Sequence, residues 1–198
     1  MKVYGDLRSG NCYKIRLICS LLDIQHEWVH VDILAGETAT PDFLNRNPVG
    51  KIPVLELENG LTLSESNAIV NYLAAGSRYL PEERFALAKV QQWQFFEQYS
   101  IEPYIAVARF IARYLNMPED RREEYEAKQP GGRKALAVVD QQLKDTEFLL
   151  GAQLTAADVC VYGYTHVADE GGFNLTDYPA VQRWIGAIQS QPGYVGMT

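Results

Sequence analysis

The apolar positions change rhythm along the chain. Val3-Tyr4 alternates with its neighbours as a short strand does, and a turn follows from Gly5 to Gly10. From Asn11 to Leu22, the residues Ile15, Ile18, Cys19 and Leu22 fall at helical spacing, with Lys14 expected to remain available to solvent. Trp28 to Ile33, rich in β-branched and aromatic residues, predicts a second strand, Ile52 to Leu57 a third and Leu61 to Leu63 a fourth. Between the last two lies Glu58-Asn59-Gly60, whose Asn-Gly supplies the positive φ angles of a tight hairpin. A helix is expected from about Ser66 to Ala75, with Gly76 as a left-handed stop. The order is β-α-β, then β-β-α.

After Gly76 the texture changes. Ser77 to Glu83, with Pro81, reads as a linker. Helical periodicity then dominates. A long helix is expected over Phe85 to Leu115, kinked at Pro103 because proline lacks the N–H that the ladder needs. Pro118 and the charges after it mark a loop or short helix, followed by helices over Arg133–Leu149, Thr155–Ala168 and Ala180–Gln189. The pattern predicts an α/β domain of thioredoxin-like arrangement over residues 1–77 and an all-α helical C-terminal domain over residues 84–198.

Composition narrows the function. With 47% apolar and 22% charged residues over 198 positions, the chain has ordinary globular usage, which excludes disordered, collagenous and disulfide-scaffold classes. A net charge of -7 and a pI near 5.0 argue against nucleic-acid binding, which rests on a cationic surface, and against docking on an anionic membrane. The apolar stretches are interrupted by charges, so no membrane span is expected, and Met1-Lys2-Val3-Tyr4 does not begin a signal peptide. Cys12, Cys19 and Cys160 show no CxxC spacing, which fits reduced thiols in a cytoplasmic protein. His26, His30 and His166 form no ligand cluster, so no metal is expected.

Three segments carry candidate chemistry. Ser9 lies in the loop that feeds the first helix, where unpaired N–H groups and a partial positive charge stabilise an anion. A hydroxyl donating there could hold a thiolate; Ser9 or Asn11 could equally be a plain helix cap. Pro53 cannot donate to a sheet and belongs at an edge or in a special turn. A cis Ile52-Pro53 bond, as in about 5–6% of X-Pro pairs, would turn the N–H and C=O of Ile52 outward toward a peptide-like ligand. The alternative is an ordinary trans proline at a strand start. Glu65 and Ser66 open the next helix, where a carboxylate and a hydroxyl could clamp an α-amino-acid head group or form only a polar first turn.

Taken in order and spacing, Leu7 to Lys14, Asn47 to Pro53 and Glu65 to Ile69 resemble the cytosolic glutathione transferase superfamily, over nearly the whole chain. Gly151-x-x-x-Thr155-Ala156-Ala157-Asp158 resembles its helix-capping motif, with Thr155 as cap and Asp158 reaching back. The resemblance implies that Ser9 is the thiol-activating hydroxyl. Asn11 could donate to sulfur as well, and Cys12, one helical turn beyond Ser9, could be the cysteine that some bacterial classes use for mixed disulfides or a small buried hydrophobe. It also implies that Ile52, before Pro53, pairs with the cysteinyl part of glutathione. Glu65 and Ser66 then hold the γ-glutamyl head, and Lys51 resembles a basic residue that approaches the glycyl carboxylate in some classes, the alternative being a solvated surface lysine. Tyr4 precedes the turn and is expected in core packing.

The implied activity is conjugation of the glutathione thiolate to a small hydrophobic electrophile, with glutathione as co-substrate and no cofactor. Helices from Phe85 onward would wall a hydrophobic pocket, with Tyr104 and Phe110 as candidate wall residues or core packing. A homodimer is implied. Two alternatives stand beside this: glutathione-dependent thiol–disulfide exchange through Cys12, and a non-catalytic ligand-binding member of the same fold.

Overall fold

The computed structural model describes residues 1–197. β1 (Lys2–Gly5) pairs parallel with β2 (Glu27–His30) on one side and antiparallel with β3 (Val54–Glu56) on the other. β4 (Thr62–Ser64) pairs antiparallel with β3 and completes the order β2-β1-β3-β4. α1 (Gly10–Leu21) is the crossover that the parallel pair requires. This is the thioredoxin-like arrangement, with α3 (Ser66–Ala74) following β4.

Local chemistry accounts for the differences from the pattern. β2 stops short of Ile33 because the carboxylate of Asp32 accepts from the N–H groups of Leu34 and Ala35, at 2.9 and 3.1 Å, and turns the chain. An unexpected helix, α2 (Pro41–Arg46), follows. Thr40 caps it by accepting from the Phe43 N–H at 3.3 Å, Pro41 fits its first turn, and Phe43 is buried. In the hairpin only Gly60 takes a positive φ, at 81°, whereas Asn59 instead accepts from the Leu61 N–H.

α4 (Arg84–Phe96) is capped by Glu83, whose carboxylate accepts from the N–H groups of Phe85 and Ala86. At Pro103, where a kink is expected, the helical ladder changes its spacing. The chain runs on as a π-helix over Glu97–Ala106, then α5 (Val107–Arg109), then a second π-helical stretch over Phe110–Tyr114. Widening the ladder accommodates a residue without an N–H inside a continuing helix.

α6 (Arg122–Leu143) begins well before the expected Arg133 and runs through Pro130-Gly131-Gly132. The two glycines give flat surfaces. A Cβ on Gly131 would collide with the Tyr104 ring, and one on Gly132 with the Phe173 ring. Tertiary packing therefore overrides poor helix propensity. At the other end, helix formation stops at Leu143 rather than Leu149.

α7 (Ala156–Thr165) opens with the predicted capping box and gives way to a 3-10 turn, Ala168–Gly171, instead of reaching Ala168 as an α-helix. Buried Asp158 accepts from the N–H groups of Leu149 and Thr155 and from Nε1 of Trp184 on α8 (Pro179–Gln189), all at 2.8–2.9 Å. The two halves of the chain meet where α1 crosses α7 at Gly10 and Gly163. A Cβ on Gly10 would lie 2.6 Å from the Gly163 carbonyl oxygen, so this close approach needs both glycines. No helix among the described residues is long and apolar enough to cross a membrane.

Candidate active site

The α1–α7 crossing brings the first turn of α1 against the helical half. Ser9 caps α1, its Oγ accepting from the Cys12 N–H at 3.4 Å. The Tyr164 side chain, buried, packs beside Gly10 in the same turn. Burial first, then the charge of Glu102, raises the Tyr164 pKa. Tyr164 therefore stays a neutral phenol at physiological pH.

Cys12, one turn on, points away into the core. It is fully buried, and a Cβ added to Gly5 would stand 2.6 Å from its sulfur. Burial pushes its thiol up to about 12, with the Ser9 hydrogen bond opposing. Cys19 and Cys160 are equally buried and are also pushed up to about 12. Such thiols are inert at neutral pH.

A narrow cleft of about 90 Å³ opens beside this turn. Its lining includes Asn11, Lys51, Ile52, Pro53, Glu65 and Ser66, so six of the eight residues singled out in the sequence share one wall; Ser9 and Cys12 are not on it. The Ile52-Pro53 bond is cis. Neither the N–H nor the C=O of Ile52 has a hydrogen-bond partner among the described residues. The loop before it is braced by buried Asn47, whose amide donates to the Lys51 carbonyl at 2.7 Å and accepts from the Val49 N–H at 3.1 Å.

Glu65 precedes α3 with φ of 69° and ψ of 109°, a conformation that costs a non-glycine residue energy and clusters at functional sites. Its side chain is exposed and forms no cap hydrogen bond. Ser66, by contrast, is buried and donates to Asn11 Oδ1 at 3.1 Å.

Beneath the cleft lies a charged network that the sequence reading missed. Lys14, expected at the surface, is fully buried. Its Nζ lies 2.7 Å from Glu97 Oε2, 2.8 Å from Asn11 Oδ1, 3.1 Å from Asn67 Oδ1 and 3.2 Å from Ser66 Oγ. Glu97, also fully buried, further accepts from Asn67 Nδ2 and Gln98 Nε2. The pair spans the two halves of the chain and fixes the Asn11 amide. Its oxygen faces Lys14 and Ser66, and its Nδ2 donates to Glu102 Oε1 at 3.2 Å.

Glu102 lines the cleft from the helical side, and its pKa is raised, first by burial and then by the charge of Glu97. The available signal was a charge at an apolar helical position, Lys14 among Ile15, Leu17 and Ile18. Its partner 83 residues away has no local trace. Tyr104 packs over Gly131 and Phe110 against Tyr114, at a ring distance of 5.2 Å. Tyr4 donates to Glu56 at 2.9 Å in the sheet. Among the described residues, no group of three or more His, Cys, Asp or Glu is placed to hold a metal ion.

Two family models match the chain: "Glutathione S-transferase, N-terminal domain" over residues 1–75 and "Glutathione S-transferase, C-terminal domain" over residues 92–192. A solved glutathione S-transferase from Pseudomonas fluorescens Pf-5 is 58% identical, with a TM-score of 0.97, covering 99% of this chain and 98% of that one. A maleylacetoacetate isomerase from Methylobacterium extorquens AM1, solved with malonate and GSH bound, is 26% identical with a TM-score of 0.82, covering 98% and 94%. Glutathione S-transferase 2 of Anopheles gambiae is 27% identical over 191 residues, covering 93% of this chain and 88% of that protein. With matches to both domains, the chain belongs to the cytosolic glutathione S-transferase superfamily.

Proposed function

We propose that this protein conjugates the thiolate of glutathione to a small electrophile, with Ser9 as the hydroxyl that stabilises the sulfur anion. The observation that carries this reading is the convergence of Asn11, Lys51, Ile52, Glu65 and Ser66, from three separate segments, on one cleft beside the first turn of α1. Each offers chemistry that a γ-glutamyl tripeptide needs. Glu65, unpaired among the described residues, suits the α-ammonium, and Ser66 with the N-terminus of α3 suits the α-carboxylate. The free N–H and C=O of Ile52 suit the cysteinyl peptide groups, and Lys51 suits the glycyl carboxylate. The solved relative with GSH bound supports the same ligand.

In the reaction, sulfur forms a bond to the electrophilic carbon, the leaving group departs with its electron pair, and the thiol proton passes to solvent. A thiol of pKa about 8.5 is only a few per cent ionised at neutral pH. Lowering that value by about two units takes about 2.7 kcal/mol of preferential thiolate stabilisation. One hydroxyl donor with the N-terminal field of α1 is of that order. Buried Cys12, with its thiol at about 12, does not suit disulfide exchange. The family's twofold pairing is the assembly we adopt.

The test is Ser9→Ala with 1-chloro-2,4-dinitrobenzene. Turnover should fall about tenfold or more, while glutathione binding by calorimetry is largely spared. Turnover at the wild-type level would move the sulfur contact to Asn11.

A further inference from the structure

On the other side of the active-site turn lies a second cavity, of about 310 Å³, within the ordinary size range of small-molecule sites. Its lining includes Arg8, Arg109, Arg113, Tyr114, Val167, Glu170 and Met197. The turn thus separates two clefts. Asn11 lines the one described above, Arg8 lines this one, and Ser9 follows Arg8 directly in the chain. Resting on the glutathione site proposed above, we infer that this second cavity holds the electrophile, and that the electrophile it selects carries a carboxylate or similar acid group beside an apolar body.

The charge distribution supplies the argument. Three guanidiniums meet a single lining carboxylate, Glu170, whose Oε2 is shared between Arg109 Nε at 2.7 Å and Arg113 Nε at 3.5 Å. Asp6, itself buried, pairs with Arg8 at 3.3 Å, and the charge of Asp32 also reaches Arg8, both from outside the lining, where the three guanidiniums still outnumber the one carboxylate. His166 adds none, because burial pushes it down to about 4 and keeps it neutral. This excess sits in a chain whose net charge is -7, so it is a local feature rather than a reflection of the whole.

The arginines are also held in place. Arg109 is buried and donates through Nη1 to the Arg8 carbonyl at 2.6 Å, tying the long helix to the residue beside Ser9. Arg8 stacks over the Tyr114 ring at 4.5 Å. Arg8 and Arg113 keep 52% and 62% of their side chains exposed, which leaves guanidinium N–H groups free for a planar, bidentate anion. Val167, Met197 and the Tyr114 ring offer apolar surface for the rest of the molecule.

The experiment compares 4-chloro-3-nitrobenzoate with its methyl ester, dividing each kcat/KM by the uncatalysed rate with glutathione. In both, the thiolate bonds to the chlorine-bearing carbon and chloride leaves. The acid should be favoured about tenfold over the ester, and Arg113→Gln should cut that ratio about fivefold. Arg113 is exposed, so its replacement is not expected to disturb folding; Arg8→Gln gives a second reading on the same ratio. An ester turned over as well as the acid, or a ratio unmoved by both variants, overturns the inference while leaving the glutathione site intact. Absence of glutathione binding by calorimetry overturns the glutathione site and this inference with it.

Discussion

Replacing Lys14 with Met would remove one partner from a pair with 0% exposure on both side chains. Glu97 Oε2 would keep Asn67 Nδ2 at 3.1 Å and Gln98 Nε2 at 2.8 Å, while Oε1 is already buried without a partner. Two neutral donors do not replace an ammonium at 2.7 Å. Stranding a buried charge in this way costs about 3–5 kcal/mol, a large share of the roughly 5–15 kcal/mol that stabilises a folded chain. Glu97→Leu strands the ammonium instead. Three neutral oxygens remain around it, those of Asn11, Ser66 and Asn67, so the cost should fall near about 3 kcal/mol.

The double variant Lys14→Met with Glu97→Leu removes both charges, and its cost should be well below the sum of the singles, with a coupling of about 3 kcal/mol. Urea unfolding followed by tryptophan fluorescence and far-ultraviolet circular dichroism measures all three. Trp93, one turn before Glu97 on the same helix, is a local reporter. Glutathione affinity separates stability from positioning. It should fall about tenfold in both proteins lacking Lys14, where Asn11 and Ser66 lose their anchor, and less in Glu97→Leu. Additive single effects below about 1 kcal/mol each would refute the reasoning, because they describe an exposed pair.

Two further expectations follow from burial. Thiol titration of the native protein with Ellman's reagent should detect almost none of Cys12, Cys19 and Cys160, and all three after denaturation; rapid labelling of Cys12 in the native state would contradict its position in the core. His166 sets an acid limit. Its Nδ1–H donates to the Tyr162 carbonyl at 2.7 Å, its Nε2 is buried without a partner among the described residues, and its ring stacks on Tyr162 at 4.3 Å. A folded value of about 4, below the ordinary value near 6.5, means that the unfolded chain takes up the proton first. The stability His166 contributes is therefore complete above about pH 6.5 and lost as pH falls through about 4. Chemical denaturation across that window should show a loss that His166→Phe removes; an unchanged profile in that variant would refute it.

The strands, the hairpin, the capping box and six of the residues lining the cleft were legible because their signals are local. A turn glycine, a proline that cannot donate and a polar pair at a helix start announce themselves within a few positions. Structure made by distant packing was not legible. Pro130-Gly131-Gly132 reads as a break, yet the rings of Tyr104 and Phe173 use those glycines as contact surfaces inside α6. Lys14 is expected in solvent because it carries a charge, despite its apolar neighbours, and only the packing of the two halves brings it to Glu97 on the helix after α4. The arginine-lined cavity is likewise assembled from Arg8, the end of the long helix and the residues after α7. The helix α2 is a different case: Thr40-Pro41-Asp42 carries a cap and a first-turn proline, and the signal was present but unread.

The central claim is that bound glutathione loses its thiol proton more readily than free glutathione. Ultraviolet absorbance of the thiolate, titrated against pH in the binary complex, measures this directly. The account predicts a midpoint about two units below the free thiol's value near 8.5, and a return toward that value in Ser9→Ala. A bound thiol that titrates with the same midpoint as free glutathione would contradict it.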